Sequence, residues 1–282
     1  MILEVSEQND LELIKDPDVQ AVFHHLPKTA DWNRELQAAI KTGTFQVPRT
    51  IMPWQTSAEI HNWLKECIPV EGVTAATREA LIQSLLKLVE CAQDLTGASQ
   101  FMIRLFTGRP NCRCGYHVDT VPSGAPAVGI LHVFNGAPTL YVDSENVTTM
   151  RDFYEYLGVR ERLARLMTRA QGKGDHGRYL EAMQNIRQFD TKPPFLRDPD
   201  NVNTIPAESI IAFKQVDSRM HWSDHPASLA WIHASPSEGT PRLVVNIAGR
   251  DQAAHRRTHS PSGVTVRASG HAATRKDAAP FS

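Results

Sequence analysis

Histidine and aspartate residues in one short segment have the types and spacing of a metal site. His117-Val118-Asp119 follows the apolar run FMIRLFTG and the turn-rich residues RPNCRCGY. Alternate residues of an extended chain lie on the same face, so this imidazole and carboxylate can bind one metal ion from the same side. His-x-Asp is also frequent by chance, and taken alone it more often marks a surface or turn pair. A metal site therefore requires a further ligand elsewhere in the chain.

A second segment supplies that ligand and a guanidinium group. His233 lies in the run WIHASP, and Arg242 begins the run RLVVNI. Two apolar β runs joined by the Ser/Pro/Gly-rich residues 235–241 predict a hairpin that places Arg242 opposite His233. Two imidazoles and one carboxylate form the facial ligand set of non-haem Fe(II) oxygenases, which leaves positions open for a 2-oxo acid and dioxygen. The pattern predicts Fe(II) at His117, Asp119 and His233, with Arg242 binding the distal carboxylate of 2-oxoglutarate through two parallel hydrogen bonds.

These motifs resemble those of the Fe(II)/2-oxoglutarate-dependent dioxygenase superfamily. More narrowly, the segments GYHVDTVP, FNGAPTLYV, IHASP and PRLVVNI resemble a little-characterised bacterial family with a His-Val-Asp, His-x-Ser-Pro and Arg pattern. The resemblance covers about residues 100–248. It implies a double-stranded β-helix and an oxygenase that hydroxylates or otherwise oxidises a small molecule with dioxygen.

The remaining pattern predicts the elements that position these residues. Residues 8–96 indicate mainly helix, beginning with NDLELIKDPDVQAVFHHL, which predicts a helical scaffold over residues 1–99. Over residues 100–249, short β-branched and aromatic runs separated by Gly, Pro and Asn predict an antiparallel double sheet, a jelly-roll or cupin-like catalytic core. Charged amphipathic stretches at about 148–190 predict a helical insertion between strands. The fold class is therefore α+β.

Composition and the chain ends indicate the cellular context. Residues 250–282 lack apolar periodicity, which predicts a disordered basic tail, and the formal net charge of −1 argues against nucleic acid as a partner. Residues 1–15 lack the basic and apolar regions of a secretory signal, and no apolar run has membrane-spanning length. Four cysteines are too few for a disulfide framework. We expect a cytoplasmic protein without a membrane segment, and the composition leaves homo-oligomerisation open.

Several further residues are candidates to line a cavity around the metal. Strand alternation can point Asn135 and Tyr141 toward the cosubstrate, and Tyr116 and Trp231 toward the substrate, although ordinary packing explains any of the four. Arg104 alternates with apolar neighbours. It either faces the interior and binds substrate, or pairs with a carboxylate on the outside.

Three other histidines need an interpretation. His221 and His225, in the polar segment HWSDH, are rival metal ligands and candidate substrate contacts. The apolar strand before His233 and the arginine after it favour His233 as the ligand. His132, in the strand AVGILHVF, is predicted to be a hydrogen-bonded core histidine.

Two cysteines offer an alternative site, and two other functions are compatible with the pattern. Cys112 and Cys114 precede His117 closely enough to join it in a zinc site, but a structural zinc site usually needs a second ligand pair, so uncoordinated thiols are favoured. The alternative function is a cupin-like metal-binding or sensing protein without oxygenase turnover. A third hypothesis is an interaction scaffold that holds no metal.

Overall fold

Helices and strands alternate in a computed structural model that describes residues 1–26, 30–109, 115–219 and 231–250. The α-helices of the described residues are α1 (Asp31–Thr42), α2 (Ser57–Cys67), α3 (Ala75–Thr96), α4 (Met150–Gly172) and α5 (His176–Thr191). The strands are β1 (Ile2–Val5), β2 (Ala21–His25), β3 (Thr50–Gln55), β4 (Gln100–Gly108), β5 (Thr120–Val121), β6 (Val128–Val133), β7 (Thr139–Tyr141), β8 (Asn203–Ile205), β9 (Ser209–Lys214), β10 (Val216–Asp217), β11 (His233–Ala234) and β12 (Arg242–Arg250). Two 3₁₀ helices span Gln8–Lys15 and Ser144–Asn146.

A seven-stranded sheet forms the centre of the fold, in the order β1-β2-β9-β6-β12-β4-β3. Its pairs are antiparallel except for β1 with β2, which is parallel. In the central strand β12, the even-numbered residues from Arg242 to Asn246 share one face, and the odd-numbered residues from Leu243 to Ile247 share the other. The two faces of β12 therefore pack against different layers of the fold.

The face of β12 that carries Leu243 packs against the N-terminal helices. Leu243 belongs to one apolar core with Leu36 of α1 and with Leu81 and Leu85 of α3, all of them buried. These helices present a continuous apolar stripe to the sheet because their buried residues recur three and four positions apart. The helical layer thus supports the strand that carries Arg242.

The opposite face of β12 looks toward a three-stranded sheet in the order β11-β7-β8. Val244 packs there with Leu131 of β6 and with Trp231, which precedes β11. The outer side of this small sheet packs under α4, where Ile232 contacts the cluster that includes Phe153. The described chain therefore has four layers: helices, large sheet, small sheet and helices.

The predicted strand runs after residue 100 and the helical insertion are confirmed. Helices α4 and α5 lie between β7 and β8, and α3 ends at Gly97 in the left-handed conformation (φ 67°) that glycine adopts without strain. The mixture of helices with a mainly antiparallel sheet agrees with the α+β class. Every helix of the described residues is too short or too polar to span a lipid bilayer.

Residues 8–96 are mainly helical as predicted, but the prediction is wrong for the segment AVFHH. This segment forms strand β2, which pairs with β9, and residues 50–55 form β3 at the far edge of the same sheet. The 3₁₀ helix ends at Lys15, before Asp16 and Pro17, because Pro17 has no N–H to continue it. Residues 1–99 therefore contribute strands as well as helices to the sheet, whereas their separation as a scaffold remains a prediction. The tail beyond residue 250 lies outside the described residues.

Candidate metal centre

His117 and His233 are joined through their backbones. The N–H of His117 donates to the carbonyl of His233 at 2.9 Å, and the N–H of His233 donates to the carbonyl of His117 at 3.0 Å. Such an antiparallel bridge places both side chains on the same face. The two ring centroids are 4.3 Å apart. The spacing of the two imidazoles is therefore set by the backbone.

Each imidazole is oriented by a carbonyl two residues earlier in the chain. His117 Nδ1 lies 2.8 Å from the oxygen of Gly115, and His233 Nδ1 lies 3.2 Å from the oxygen of Trp231. A carbonyl only accepts hydrogen bonds, so both Nδ1 atoms carry a hydrogen, and in the neutral imidazole Nε2 then keeps a lone pair. This tautomer leaves Nε2 for a metal ion.

Burial keeps His233 neutral. Burial and the neighbouring His117 lower the pKa of His233 to about 3, although Asp119 opposes this. The indole of Trp231 stacks on the imidazole with centroids 4.1 Å apart and planes 11° apart. His233 is therefore a neutral imidazole, held by this stacking, over the whole physiological pH range.

Asp119 completes the group. Its backbone carbonyl accepts from Val216 of β10, and its Oδ2 accepts from the side-chain amide of Asn246 at 2.6 Å. Its Oδ1 lies 3.9 Å from His117 Nε2 and 3.9 Å from a guanidinium nitrogen of Arg104. Burial raises the pKa of Asp119, but His233, His117 and Arg104 and the Asn246 amide together lower it below its ordinary value. The carboxylate is thus ionised while buried.

The three side chains fit a divalent metal ion. One ligand atom from each lies within 4.8 Å of the others, and among the described residues no other group of three or more His, Cys, Asp or Glu does so. Metal bonds to nitrogen and oxygen are about 2.0–2.2 Å long, so the atoms need to close by roughly 1–2 Å to share one ion. Two imidazoles and a carboxylate, with one side open to a cavity, suit Fe(II).

The ligands open into a cavity of about 610 Å³ between the two sheets. Its walls come from β4, β6, β12 and the small sheet, and the residues are Arg49, Arg104, Phe106, Thr107, Gly108, Arg109, His117, Asp119, Leu131, Val133, Thr139, His233, Ala234, Ser235, Arg242, Val244 and Asn246. Both apolar and charged side chains are present, as in sites for small polar ligands.

Arg242 lies in this cavity and is nearly buried. One guanidinium nitrogen contacts the carbonyl oxygens of Ala137 and Pro138 at 3.3 and 3.4 Å, and another lies 2.5 Å from the hydroxyl of Ser235. These contacts fix the plane of the guanidinium group. Since Ser235 follows His233 by two residues, Arg242 is tied to the strand that carries a metal ligand.

The helical insertion holds the segment before His117. Asp190 of α5 accepts from the hydroxyl of Tyr156 at 2.7 Å and from Arg160 at 2.9 Å. The Tyr156 oxygen in turn accepts from the backbone N–H of Tyr116. Gly115 lies so close to Arg160 that a Cβ atom there would collide with it. The insertion therefore positions the segment before His117, and it adds no residue to the group of candidate ligands in the described residues.

A family model described as "Protein of unknown function (DUF1826)" matches residues 6–156. The chain belongs to this family. The matched region contains His117 and Asp119, whereas His233 and Arg242 lie beyond it. No curated protein matches the chain.

Solved structures that are similar to this DUF1826 chain include a hydroxylase, a dioxygenase and a member of the 2OG-Fe(II) oxygenase family. A prolyl-4-hydroxylase from Pseudomonas putida is 12% identical, with 87% of this chain and 97% of that one covered and a TM-score of 0.38. Dioxygenase for auxin oxidation 1 from Arabidopsis thaliana is 9% identical, with 89% and 92% covered and a TM-score of 0.40. A 2OG-Fe(II) oxygenase family oxidoreductase from Burkholderia pseudomallei is 8% identical, with 89% and 95% covered and a TM-score of 0.36.

The predicted hairpin between His233 and Arg242 is wrong. Strand β11 pairs with β7, and β12 pairs with β4 and β6, so the two residues belong to different sheets. Residues 235–241 cross from the small sheet to the large one. His233 and Arg242 nevertheless line the same cavity, because the two sheets face each other across it.

Of the five residues predicted to line a cavity around the metal, one lies in the cavity wall and four do not. Arg104 lies in the cavity wall. The Asn135 side chain bonds the carbonyl of Pro241 and the N–H of Leu243, which holds the turn after β6. Tyr141 packs in the apolar cluster between the sheets, and Tyr116 packs under the insertion. Trp231 contributes to the site indirectly, by stacking on His233.

Four residues of the rival sites lie outside the described part of the chain: His221, His225, Cys112 and Cys114. Their roles as metal ligands, substrate contacts or thiols remain predictions.

Three residues of the site in this DUF1826 chain are not predicted from the sequence: Asn246, Ser235 and Arg49. Asn246 shares a face with Arg242 four residues earlier, so strand alternation alone could have identified it. Ser235 was part of the His-x-Ser-Pro motif but had no assigned role. Arg49 had no local signal, because it approaches the cavity from the loop before β3.

His132 is a hydrogen-bonded core histidine, as predicted. Its Nδ1 donates to the carbonyl of Ser209 at 2.9 Å, and its ring lies edge-on to Phe134. Burial lowers the pKa of His132 to about 4, although the hydrogen bond to Ser209 opposes this. The folded protein therefore disfavours the charged imidazole.

We expect His132 to make the metal-free protein less stable as the pH falls. Between pH 6.5 and pH 4 the His132 imidazole is protonated in the unfolded chain but stays neutral in the folded chain. The free energy of unfolding therefore decreases as the pH falls through this window, and it levels off below pH 4. The loss between pH 7 and pH 5 should be about 2 kcal/mol. Urea unfolding at both pH values measures it. His132→Asn, which can still donate to Ser209, should remove this part of the pH dependence, whereas His176→Asn at the exposed start of α5 should not. An unchanged pH dependence in His132→Asn would contradict the assignment.

Proposed function

We propose that the chain is a non-haem Fe(II)- and 2-oxoglutarate-dependent oxygenase that hydroxylates or otherwise oxidises a small molecule in the cytoplasm. Fe(II) would be held by His117, Asp119 and His233, and 2-oxoglutarate by Arg242. The core would be a double-stranded β-helix, with the large and small sheets as its two faces.

One observation carries the proposal: the metal ligands and a buried arginine share one cavity. A metal store needs the three ligands but no guanidinium group beside them. Here Arg242 lies on the opposite sheet from His233 and is joined to it through Ser235. This arrangement suits a cosubstrate that chelates the metal at one end and carries a carboxylate at the other.

The protein groups have distinct tasks in this function. Arg242 and the Ser235 hydroxyl can donate together to the distal carboxylate, and the carbonyls of Ala137 and Pro138 hold the guanidinium in place. Asn246 fixes one oxygen of Asp119 and leaves the other for the metal. Bound Fe(II) and 2-oxoglutarate would supply the activation of dioxygen. The two sheets limit the access of water to the reacting groups.

Anaerobic addition of Fe(II) and then 2-oxoglutarate tests the proposal. We expect the weak visible charge-transfer band of the chelate to appear on addition of the 2-oxo acid. Consumption of 2-oxoglutarate should follow on admission of oxygen. Iron that binds without producing the band would contradict the oxygenase and favour a metal-binding or sensing protein.

Arg242→Gln should separate cosubstrate binding from metal binding. Loss of a charge partner in a buried site costs at least about 2 kcal/mol, so 2-oxoglutarate affinity should fall roughly 30-fold or more. Fe(II) affinity should stay close to that of the original protein, because Arg242 does not contact the ligand group directly in the described structure. Titration of the charge-transfer band measures both.

Arg250→Gln provides the matched control. Arg250 lies at the other end of β12, contacts Gln100 and Trp54, and is outside the cavity. Equal losses of 2-oxoglutarate affinity in the two variants would show that Arg242 does not bind the cosubstrate specifically.

A further inference from the structure

The cavity has more positive charge than the proposed metal and cosubstrate sites require. Arg49, Arg104 and Arg242 line it, and Asp119 supplies the single carboxylate among the lining residues that the structure describes. A divalent ion adds two positive charges, and 2-oxoglutarate supplies two negative ones. The loaded cavity therefore keeps an excess of positive charge, which favours a second anion.

Arg104 presents a guanidinium group to this cavity with few protein contacts. Its ion pair with Asp119 is 3.9 Å long, beyond hydrogen-bond length, and among the described residues it has no other polar partner. A metal ion on Asp119 would satisfy that carboxylate and repel the guanidinium. The N–H groups of Arg104 are then available to a different anion.

Arg49 reaches the same cavity from the loop before β3. Val47 donates to the hydroxyl of Thr107 at 3.1 Å and accepts from the Thr107 N–H at 2.8 Å, which fixes the loop beside β4. The guanidinium carbon of Arg49 then lies 5.5 Å from the ring centroid of Phe106. Within the described part of the chain no carboxylate pairs with Arg49. Stacking on the ring leaves the N–H groups at the guanidinium edge for an anion.

These two arginines lie apart from Arg242. In the register of β4 and β12, Arg104 is opposite Asn246, and Gly108 is opposite Arg242. Four residues of strand separate the two pairs, which corresponds to about 13 Å. Phe106, under Arg49, lies between them. Arg104 and Arg242 therefore lie at opposite ends of the cavity wall, with Arg49 over the residue between them.

We propose that Arg49 and Arg104 form a second anion subsite, which binds the carboxylate or phosphate group of a small organic anion, the substrate. Calling this anion a substrate rests on the proposed oxygenase function. The subsite itself rests on the charges and positions of the two guanidinium groups. A planar guanidinium fork binds two oxygens of either anion.

Calorimetric titration of the Zn(II)-loaded protein, saturated with 2-oxoglutarate, tests the subsite without turnover. The probes are benzoate, phenyl phosphate and the neutral benzamide. We expect at least one anion to bind and benzamide not to bind, and the stronger anion distinguishes carboxylate from phosphate. Arg49→Gln and Arg104→Gln should each weaken anion binding about 10-fold or more.

Arg250→Gln is again the matched control, because Arg250 stacks on Trp54 at 4.8 Å, much as Arg49 stacks on Phe106, but lies outside the cavity. Its anion affinity should be unchanged. Since Arg49 is exposed, its variant should fold even if Arg104→Gln does not, and Zn(II) content is measured for each variant.

Three results would overturn the subsite: benzamide binds as well as the anions, the anions do not bind, or the Arg49 variant binds them as tightly as the original protein. A further test omits 2-oxoglutarate. Anion binding that then depends on Arg242 and not on Arg49 also contradicts the proposal. If 2-oxoglutarate fails to chelate iron while the anion still requires Arg49, the oxygenase function fails and the subsite stands.

Discussion

Asp119→Asn should abolish tight Fe(II) binding and with it all oxygenase activity. The amide has nearly the same size as the carboxylate but lacks its charge, and its nitrogen cannot bind a metal. Changes to residues that only orient metal ligands typically cost 10–100-fold in affinity, so replacement of a ligand should cost roughly 100-fold or more. Anaerobic equilibrium dialysis with Fe(II) measures the affinity. The melting temperature with and without Co(II) gives a second measure, since an ion that binds only the folded state stabilises it.

Asp217→Asn is the control for this change. Asp217 lies on β10, the strand that pairs with β5 directly after Asp119, and its carboxylate accepts from the N–H of Arg219. It is not among the residues that line the cavity. The affinity for Fe(II) should therefore be unchanged in Asp217→Asn. If Asp119→Asn bound Fe(II) as tightly as the original protein, the assignment of the metal centre would be wrong.

Asp190→Ala should produce a large loss of stability although it lies outside the metal centre. The carboxylate pairs with Arg160 in a site where the two side chains are only 17% and 10% exposed. Its removal takes one acceptor from the Arg160 guanidinium and the acceptor from the Tyr156 hydroxyl, which lies in an apolar cluster. Breaking a buried ion pair by removing one partner costs about 3 kcal/mol or more. Urea unfolding of the metal-free protein measures the effect.

Two comparisons test the cause of that loss. Glu155→Ala removes the carboxylate of the exposed pair with Arg151 on the same helix, and should cost less than about 1 kcal/mol. The double change Arg160→Met with Asp190→Leu replaces both charges by apolar groups and should recover much of the lost stability. Equal losses from the buried and exposed pairs would contradict this account.

Asp190→Ala should also affect the metal centre. Without Asp190, the Tyr156 hydroxyl loses the carboxylate that orients it toward the N–H of Tyr116. Tyr116 immediately precedes His117, so Fe(II) affinity should fall moderately in Asp190→Ala but not in Glu155→Ala.

The ligands could be proposed from sequence because their chemistry is local. His117 and Asp119 are two residues apart, and strand alternation alone places them together. The hairpin was wrong because a short Ser/Pro/Gly segment after His233 connects two paired strands in some folds and two facing sheets in others. Which occurs depends on the partners of β11 and β12, and those partners lie more than ninety residues earlier in the chain.

The N-terminal strands and Arg49 were missed for the same physical reason. Strand β2 exists because it pairs with β9, far later in the chain, and its short apolar run could equally extend a helix. Arg49 reaches the cavity because Val47 is bonded to Thr107, sixty residues away. Local periodicity contains no information about such pairings.

A metal ion bound by both His117 and His233 would act as a removable cross-link. The ion would close a loop of more than one hundred residues, which includes the whole helical insertion. Two backbone hydrogen bonds already join the chain at the same point. The entropy lost on closing a loop increases only slowly with its length. The insertion can therefore change in length while the spacing of the two imidazoles stays the same, and removal of the ion should loosen the small sheet before the large one.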